Sequence, residues 1–183
     1  LQSLSNANGV VFALGSENKR FMLVLTPEGK AQLALHETLT YADKTLWEVL
    51  DIKTGIAELR AATSNEFVPQ MMNLQALDGI SFNKGCYMGQ EVVARTKFLG
   101  KNKRAAFILK ADESVNLLPG DNLEIPVGEN WRKGGTVLRS ATLGKETWLL
   151  AVVANDTEVN SVMRLKDQPN AVFTVQSLPY SLE

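Results

Sequence analysis

From Arg104 onward the chain reads as short apolar segments at even spacing, each closed by turn chemistry, and no other feature limits the fold as strongly. The segments are Arg104–Lys110, Asn122–Ile125, Gly135–Leu143, Thr147–Ala154, Ser161–Leu165 and Ala171–Ser177. Pro119-Gly120-Asp121, Gly134-Gly135, Leu143-Gly144-Lys145 and Gln168-Pro169-Asn170 supply the breaks. Strands this short are not stable alone, so even spacing predicts antiparallel pairing into a small barrel or sandwich. Trp131 and Trp148 read as core or rim residues of that unit.

The preceding part is mixed. Val10–Leu14 reads as a strand. Phe21–Leu25 and Lys30–Leu35 read as two β-rich runs joined by Thr26-Pro27-Glu28-Gly29, a hairpin turn signal. His36 ends the second run and reads as a surface residue. Asp43 caps a helix through about Lys53, since Leu46, Val49, Leu50 and Lys53 follow helical spacing and Gly55 suits the position just past the end. Thr45 and Glu48 offer an alternative capping box. Trp47 lies one residue off the apolar stripe, as a boundary ring covering the core or as a stacking wall for a flat ligand. Pro69, Asn73, Asp78, Gly79 and Asn83 break residues 56–83 into a long connecting region, the kind that often carries function. The expected fold class is α+β, with an α+β part over 1–100, a small antiparallel β-barrel over 101–183 and a boundary near Gly100.

Composition removes several classes. The 183 residues, 45% hydrophobic and 21% charged, are ordinary for a globular chain, which excludes low-complexity disorder. The 19 basic and 20 acidic side chains nearly cancel, so no broad positive field serves a nucleic acid. Locally the picture differs: residues 84–110 hold 7 basic and 1 acidic side chain, against 6 and 9 before them and 6 and 10 after. An anionic partner is drawn to that segment. A single Cys86 forms neither an intrachain disulfide nor a Cys-x-x-Cys pair, and His36 alone provides no two-histidine zinc site. Few cysteines fit a reducing cytosol. No stretch reaches the roughly 20 apolar residues of a membrane span, so no membrane partner is expected. A start at Leu1, close to a strand, suggests a piece of a longer protein.

The most unusual segment is Lys84-Gly85-Cys86-Tyr87-Met88-Gly89-Gln90-Glu91. Gly85 and Gly89 permit positive φ or close backbone approach, and Gly89 precedes a helix from Gln90 to Lys97 in which Glu91 and Arg95 form an i,i+4 pair. A thiol near a helix N-terminus and beside a lysine sits where thiols act as nucleophiles, although free cysteines are most often small buried hydrophobes. Tyr87 reads as a core ring, and Gln90 and Glu91 as ordinary first-turn residues. Lys84, Arg95, Lys101, Lys103 and Arg104 are candidate anion contacts, set against the commoner reading of clustered lysines as a solvated face. Aromatic interleaving is thin, with Phe98 and a strand-core Phe107, so a single-strand stacking platform gains little support.

These eight residues resemble the Lys-Gly-Cys-Tyr-x-Gly-Gln-Glu signature of the YgfZ family, folate-binding relatives of the glycine-cleavage T-protein. The resemblance extends in order through Phe67-Val68-Pro69-Gln70, Asn73-Leu74-Gln75-Ala76-Leu77, Gly79-Ile80-Ser81-Phe82, Val93-Ala94-Arg95, Asn102-Lys103-Arg104, Gly128-Glu129-Asn130-Trp131 and Leu178-Pro179-Tyr180-Ser181-Leu182-Glu183. It implies a cytoplasmic protein that binds a folate, tetrahydrofolate or a one-carbon derivative, and supports iron–sulfur enzymes, including those that thiolate tRNA. It also implies three domains around a central opening. This chain would supply most of a ferredoxin-like, T-protein-like middle domain and all of the barrel, with the N-terminal domain largely missing. Trp47 takes the place of a folate-contacting tryptophan, and Cys86 that of the functional thiol within the signature. Three readings follow: a folate-binding accessory protein, a direct tRNA-binding module through residues 84–110, and a tetrahydrofolate-dependent aminomethyltransferase.

Overall fold

The computed structural model describes residues 3–14, 20–36, 38–98 and 102–182. The chain divides into two compact units, 1–42 and 43–183. In the first, β1 (Ser3–Asn6), β2 (Gly9–Leu14) and β3 (Arg20–Leu25) form an antiparallel sheet in that order. α1 spans Pro27–Ala34. The run Lys30–Leu35 is therefore helical rather than a second hairpin strand. Thr26 is the reason: its hydroxyl accepts from the Gly29 amide at 3.1 Å, and Pro27 occupies the first turn, where its missing N–H costs nothing. His36 follows this helix and is exposed, as expected.

The second unit opens with α2 (Lys44–Lys53), capped by Asp43, whose carboxylate accepts from the Thr45 amide at 2.8 Å. The Thr45 hydroxyl also bonds that carboxylate, and these bonds hold the Asp43 carboxyl below its ordinary range. Asp43 rather than Thr45 is thus the cap. Two 3-10 turns follow, Ala61–Thr63 and Pro69–Met72, and then α3 (Gln90–Phe98).

β4 (Arg104–Ala111), β5 (Asn122–Val127), β6 (Asn130–Leu143), β7 (Glu146–Ala154), β8 (Val162–Leu165) and β9 (Gln168–Gln176) form a closed antiparallel barrel in the order β4-β7-β6-β5-β8-β9. Two expected turns are strand instead. Gly134-Gly135 lies inside β6, where a Cβ on Gly134 would come within 2.4 Å of Ile125 and one on Gly135 within 2.7 Å of Val153. These glycines allow close strand packing beside a register shift at Leu123/Glu124. Gln168-Pro169-Asn170 begins β9, and the chain turns at Lys166-Asp167. Trp131 and Trp148 are partly buried rim residues, under Arg164 at 4.3 Å and Lys53 at 4.1 Å from the ring centroids.

Two apolar clusters share the barrel wall. Phe107, Leu109, Leu149, Ala151, Phe173 and Val175 belong to the first, together with Leu123 and Met163. The alternate residues Ala106, Ile108, Leu150 and Val152 pack with Val49 and Ile52 of α2 and with Met72. β4 and β7 are thus buried on both faces, and their near-continuous apolar runs need a cover that α2 supplies. Arg139 on β6 reinforces this docking, with its guanidinium 3.4 Å from the Asp51 carboxylate and the Ile56 carbonyl. This packing places residues 43–98 in one compact unit with the barrel, where the sequence had grouped them with residues 1–42. The expected boundary at Gly100 lies outside the described residues.

Candidate functional site

Beyond the apolar packing of Met72 and the Arg139 bond to Ile56, residues 56–83 meet the barrel through a buried asparagine that pairs with β4. Asn73, left-handed at φ 59 and fully buried, donates from Nδ2 to the Ala106 carbonyl at 2.7 Å, and its Oδ1 accepts from the Ala106 amide at 3.1 Å. An amide side chain here pairs with a β4 residue as a neighbouring strand would. Nδ2 also reaches the Tyr180 hydroxyl at 3.2 Å, and that hydroxyl donates to the Gly55 carbonyl at 3.0 Å. Gly55 has φ +69, and a Cβ there would lie 2.5 Å from the Tyr180 oxygen. Burial pushes the Tyr180 phenol up, offset in part by the Asn73 bond. A second buried amide, Gln70, donates from Nε2 to the Val93 carbonyl at 2.6 Å and so anchors α3.

The signature segment sits between these tethers. Residues 84–89 are exposed throughout. Gly89 has φ +88, which a residue with a side chain rarely adopts, and lets the chain turn into α3. Across that turn the Tyr87 amide donates to Gln90 Oε1 and the Gln90 amide donates to the Tyr87 carbonyl, both at 3.2 Å. The Lys84 ammonium lies 4.4 Å from the Tyr87 ring centroid. Lys84, Tyr87, Gln90 and Glu91 thus gather around one shallow cleft of about 240 Å³, which Phe82 and Phe98 also line. Tyr87 is an exposed ring with a cation over it, not the core ring the sequence suggested. Cys86 is exposed, and its sulfur takes no part in the bonds that fix the turn. Glu91 and Arg95 form no ion pair, and both point to solvent.

The candidate anion contacts divide. Arg95 and Lys103 are exposed, Lys84 covers Tyr87, and the Arg104 guanidinium donates to the Val152 carbonyl at 3.1 Å. Lys101 lies outside the described residues. Lys97, outside that candidate set, stands 3.6 Å from the Phe82 ring centroid, and Phe82 meets Phe98 edge-on at 6.5 Å. Trp47 is partly buried on α2 and lines neither this cleft nor the larger one beside α3. α2 packs on β6 and β7, whereas α3 packs on the Pro69–Met72 turn. Among the described residues no group of three or more His, Cys, Asp or Glu could hold a metal, and no helix is long and apolar enough to cross a membrane.

The sequence reading missed Gln70 and Asn73 as working residues. Both stand in stretches that carry the family resemblance, but their role depends on backbone groups 23 and 33 residues away.

Residues 102–168 match the family model described as the YgfZ beta-barrel domain. A relative from Photobacterium profundum, called tRNA-modifying protein YgfZ, is 43% identical over 177 residues, which cover 93% of this chain and 54% of the relative. Proteins of the same name from Pectobacterium carotovorum and Serratia proteamaculans are each 45% identical, over 90% and 93% of this chain and 50% and 52% of their own lengths. The chain spans about half the length of the curated relatives it matches. With the barrel closed and these identities running nearly end to end, the chain is similar over nearly its whole length to proteins called tRNA-modifying protein YgfZ, and its barrel matches the YgfZ beta-barrel domain.

Proposed function

We propose that the chain is the signature-bearing part of a folate-dependent accessory protein that supports tRNA modification and the iron–sulfur enzymes that perform it. The observation that carries this reading is the display of Cys86. Its turn is closed by Tyr87 and Gln90, so the sulfur is free for chemistry rather than spent on the fold. The name shared by the relatives, tRNA-modifying protein, supports tRNA as the ultimate client. Tetrahydrofolate or a one-carbon derivative is the cofactor in this reading. The partly buried indole of Trp47 suits one wall for a flat ring, and the exposed Arg95 and Lys103 suit an anionic tail. One thiolate does not make the four-cysteine set of an ordinary cluster, so any cluster belongs to the client enzyme. The cytosol, where a lone exposed thiol stays reduced, is the compartment this chemistry asks for.

The test is complementation by the intact protein carrying Cys86→Ala. Thiolated tRNA should fall to the level of the deletion strain while the protein remains folded by circular dichroism. Wild-type levels would remove Cys86 from the mechanism. In parallel, tetrahydrofolate should quench tryptophan fluorescence, and Trp47→Ala should weaken that binding about tenfold, as expected for loss of one stacking wall. Equal binding by both proteins would take Trp47 out of the folate site.

Direct tRNA contact through residues 84–110 is the second reading, favoured by the exposure of Arg95 and Lys103 in the only strongly basic part of the sequence.

A further inference from the structure

α3 buries Val93 against the fold, yet its solvent side is not uniformly polar. Val92 is 52% exposed and Phe98 69%, and the fully exposed Met88 stands just ahead of the helix. Val92, Arg95 and Phe98 follow at i, i+3 and i+6, which sets them along the side of α3 turned away from Val93. Tyr87, which lines one cleft with Phe98, extends the exposed apolar surface to the Cys86 turn. Large apolar side chains gathered in this way mark an interaction surface, whereas single ones scattered over a protein do not.

The charges around this surface are nearly all of one sign. Lys84, Arg95 and Lys97 are exposed, and Glu91 is the one acidic side chain in residues 84–110 of the sequence. The stretches before and after are net acidic, so the positive charge is local to this segment. Its complement is a surface that presents acidic residues around an apolar centre. RNA is the other anionic class, and the rings argue against it. Lysine ammoniums stand 4.4 Å from the Tyr87 centroid and 3.6 Å from that of Phe82, and so take up a face of each ring on which a base would stack. Phe98 meets Phe82 edge-on and has Lys97 5.4 Å from its own centroid. Met88 and Val92, the aliphatic part of the surface, favour a protein, and the flexible thioether adapts to whatever surface it meets.

We propose that this face of α3 docks a client protein through a segment that is both acidic and apolar, and so holds the client against the Cys86 turn. The purpose of such docking rests on the reading of Cys86 as the working thiol, but the contact itself does not involve the sulfur.

Fluorescence anisotropy of the intact protein tests it, with two labelled amphipathic helical peptides, one built of Leu and Glu and one of Leu and Lys, and with a single-stranded RNA of the same charge as the first. The Leu/Glu peptide should bind about tenfold tighter than either alternative, and its binding should weaken with salt. Met88→Ser combined with Val92→Ser, both at exposed positions, should weaken that binding about tenfold while tetrahydrofolate binding and alkylation of Cys86 stay at wild-type levels. The same double variant should lower thiolated tRNA in complementation, because the thiol is present but its client is not held. Should it fail to fold, Met88→Ser alone, ahead of the helix, should weaken the peptide about threefold. Cys86→Ala should bind the peptide as wild type does, so wild-type complementation by Cys86→Ala would remove the thiol reading and leave the docking face standing. Binding of the Leu/Glu peptide no tighter than that of the Leu/Lys peptide overturns the proposal, as does binding that survives both substitutions. It is equally overturned if the RNA binds more tightly and the double variant weakens it, for then the face belongs to RNA. Protection of Met88 from peroxide oxidation in the intact protein also overturns it, since the rest of the longer chain then covers the face.

Discussion

Inside the barrel, Phe173, Leu109, Leu123 and Leu149 have no exposed surface, whereas from Lys84 to Gly89 every residue faces solvent and Met88 is fully exposed. The barrel is held by apolar packing on both sides of β4 and β7. The signature is held by a few polar links: Gln90 to Tyr87 across its turn, Gln70 to Val93 beneath it, and Asn73 to Ala106 at the base of the preceding loop. A closed barrel has no free edge, which makes it a stable base for a segment that contributes little stability of its own. Chemistry and stability are thus assigned to different residues, and substitutions should separate them.

The largest effect should come from the barrel. Phe173→Ala removes a fully buried ring and is expected to cost about 3–5 kcal/mol, read from the denaturant midpoint. Met88→Ala, at a fully exposed signature position, should shift stability by less than about 0.5 kcal/mol. Comparable losses from the two would mean that the signature packs against something and would end the contrast.

Next comes the joint between the regions. Asn73→Ala leaves the Ala106 amide and carbonyl buried and unpaired, an expected loss of about 3 kcal/mol. Asn73→Asp keeps an acceptor for the Ala106 amide but sets a buried carboxylate oxygen against the Ala106 carbonyl, so it should cost at least as much as alanine. Hydrogen exchange should show residues 56–83 opening before the barrel strands in both variants. Exchange that quickens equally everywhere would make Asn73 part of the barrel core rather than a tether.

What the sequence revealed follows the same division. Barrel strands announce themselves through local chemistry, short apolar segments closed by Pro119-Gly120 or Leu143-Gly144, and five of the six were visible to within about three residues at either end. β6 starts earlier than expected, because Gly134-Gly135 has the composition of a turn while its packing against Ile125 and Val153 makes it strand. Lys30–Leu35 failed for a related reason: Thr-Pro-x-Gly serves a turn and a helix start equally well, and only the Thr26 bond to the Gly29 amide decides. At the site, the signature stood out as a string of unusual residues. The amides that support it did not, since a buried Asn or Gln looks like any polar loop residue until the carbonyl it meets is known. Trp47 and Cys86 come together only from the resemblance, and among the described residues neither lines the signature cleft or the larger one beside α3.

The smallest effect tests the outer end of the Asn73 network through pH. Tyr180 is pushed up chiefly by burial, with the Asn73 bond pulling the other way. The native phenol therefore keeps its proton after the unfolded one has begun to lose it, near pH 10. Above that point the native state binds more protons than the unfolded state, so stability falls as pH rises; below it the contribution of Tyr180 is complete and flat. Tyr180→Phe loses the bond to the Gly55 carbonyl and leaves one Asn73 donor site unfilled, for about 1 kcal/mol at neutral pH. The gap between wild type and variant should stay constant up to about pH 10 and narrow beyond it. A gap that stays constant through the alkaline range would mean that the phenol ionises as readily in the folded chain as in the unfolded one. Asn73 would then hold Ala106 without help from the C-terminal segment, and the tether would be one residue rather than a network.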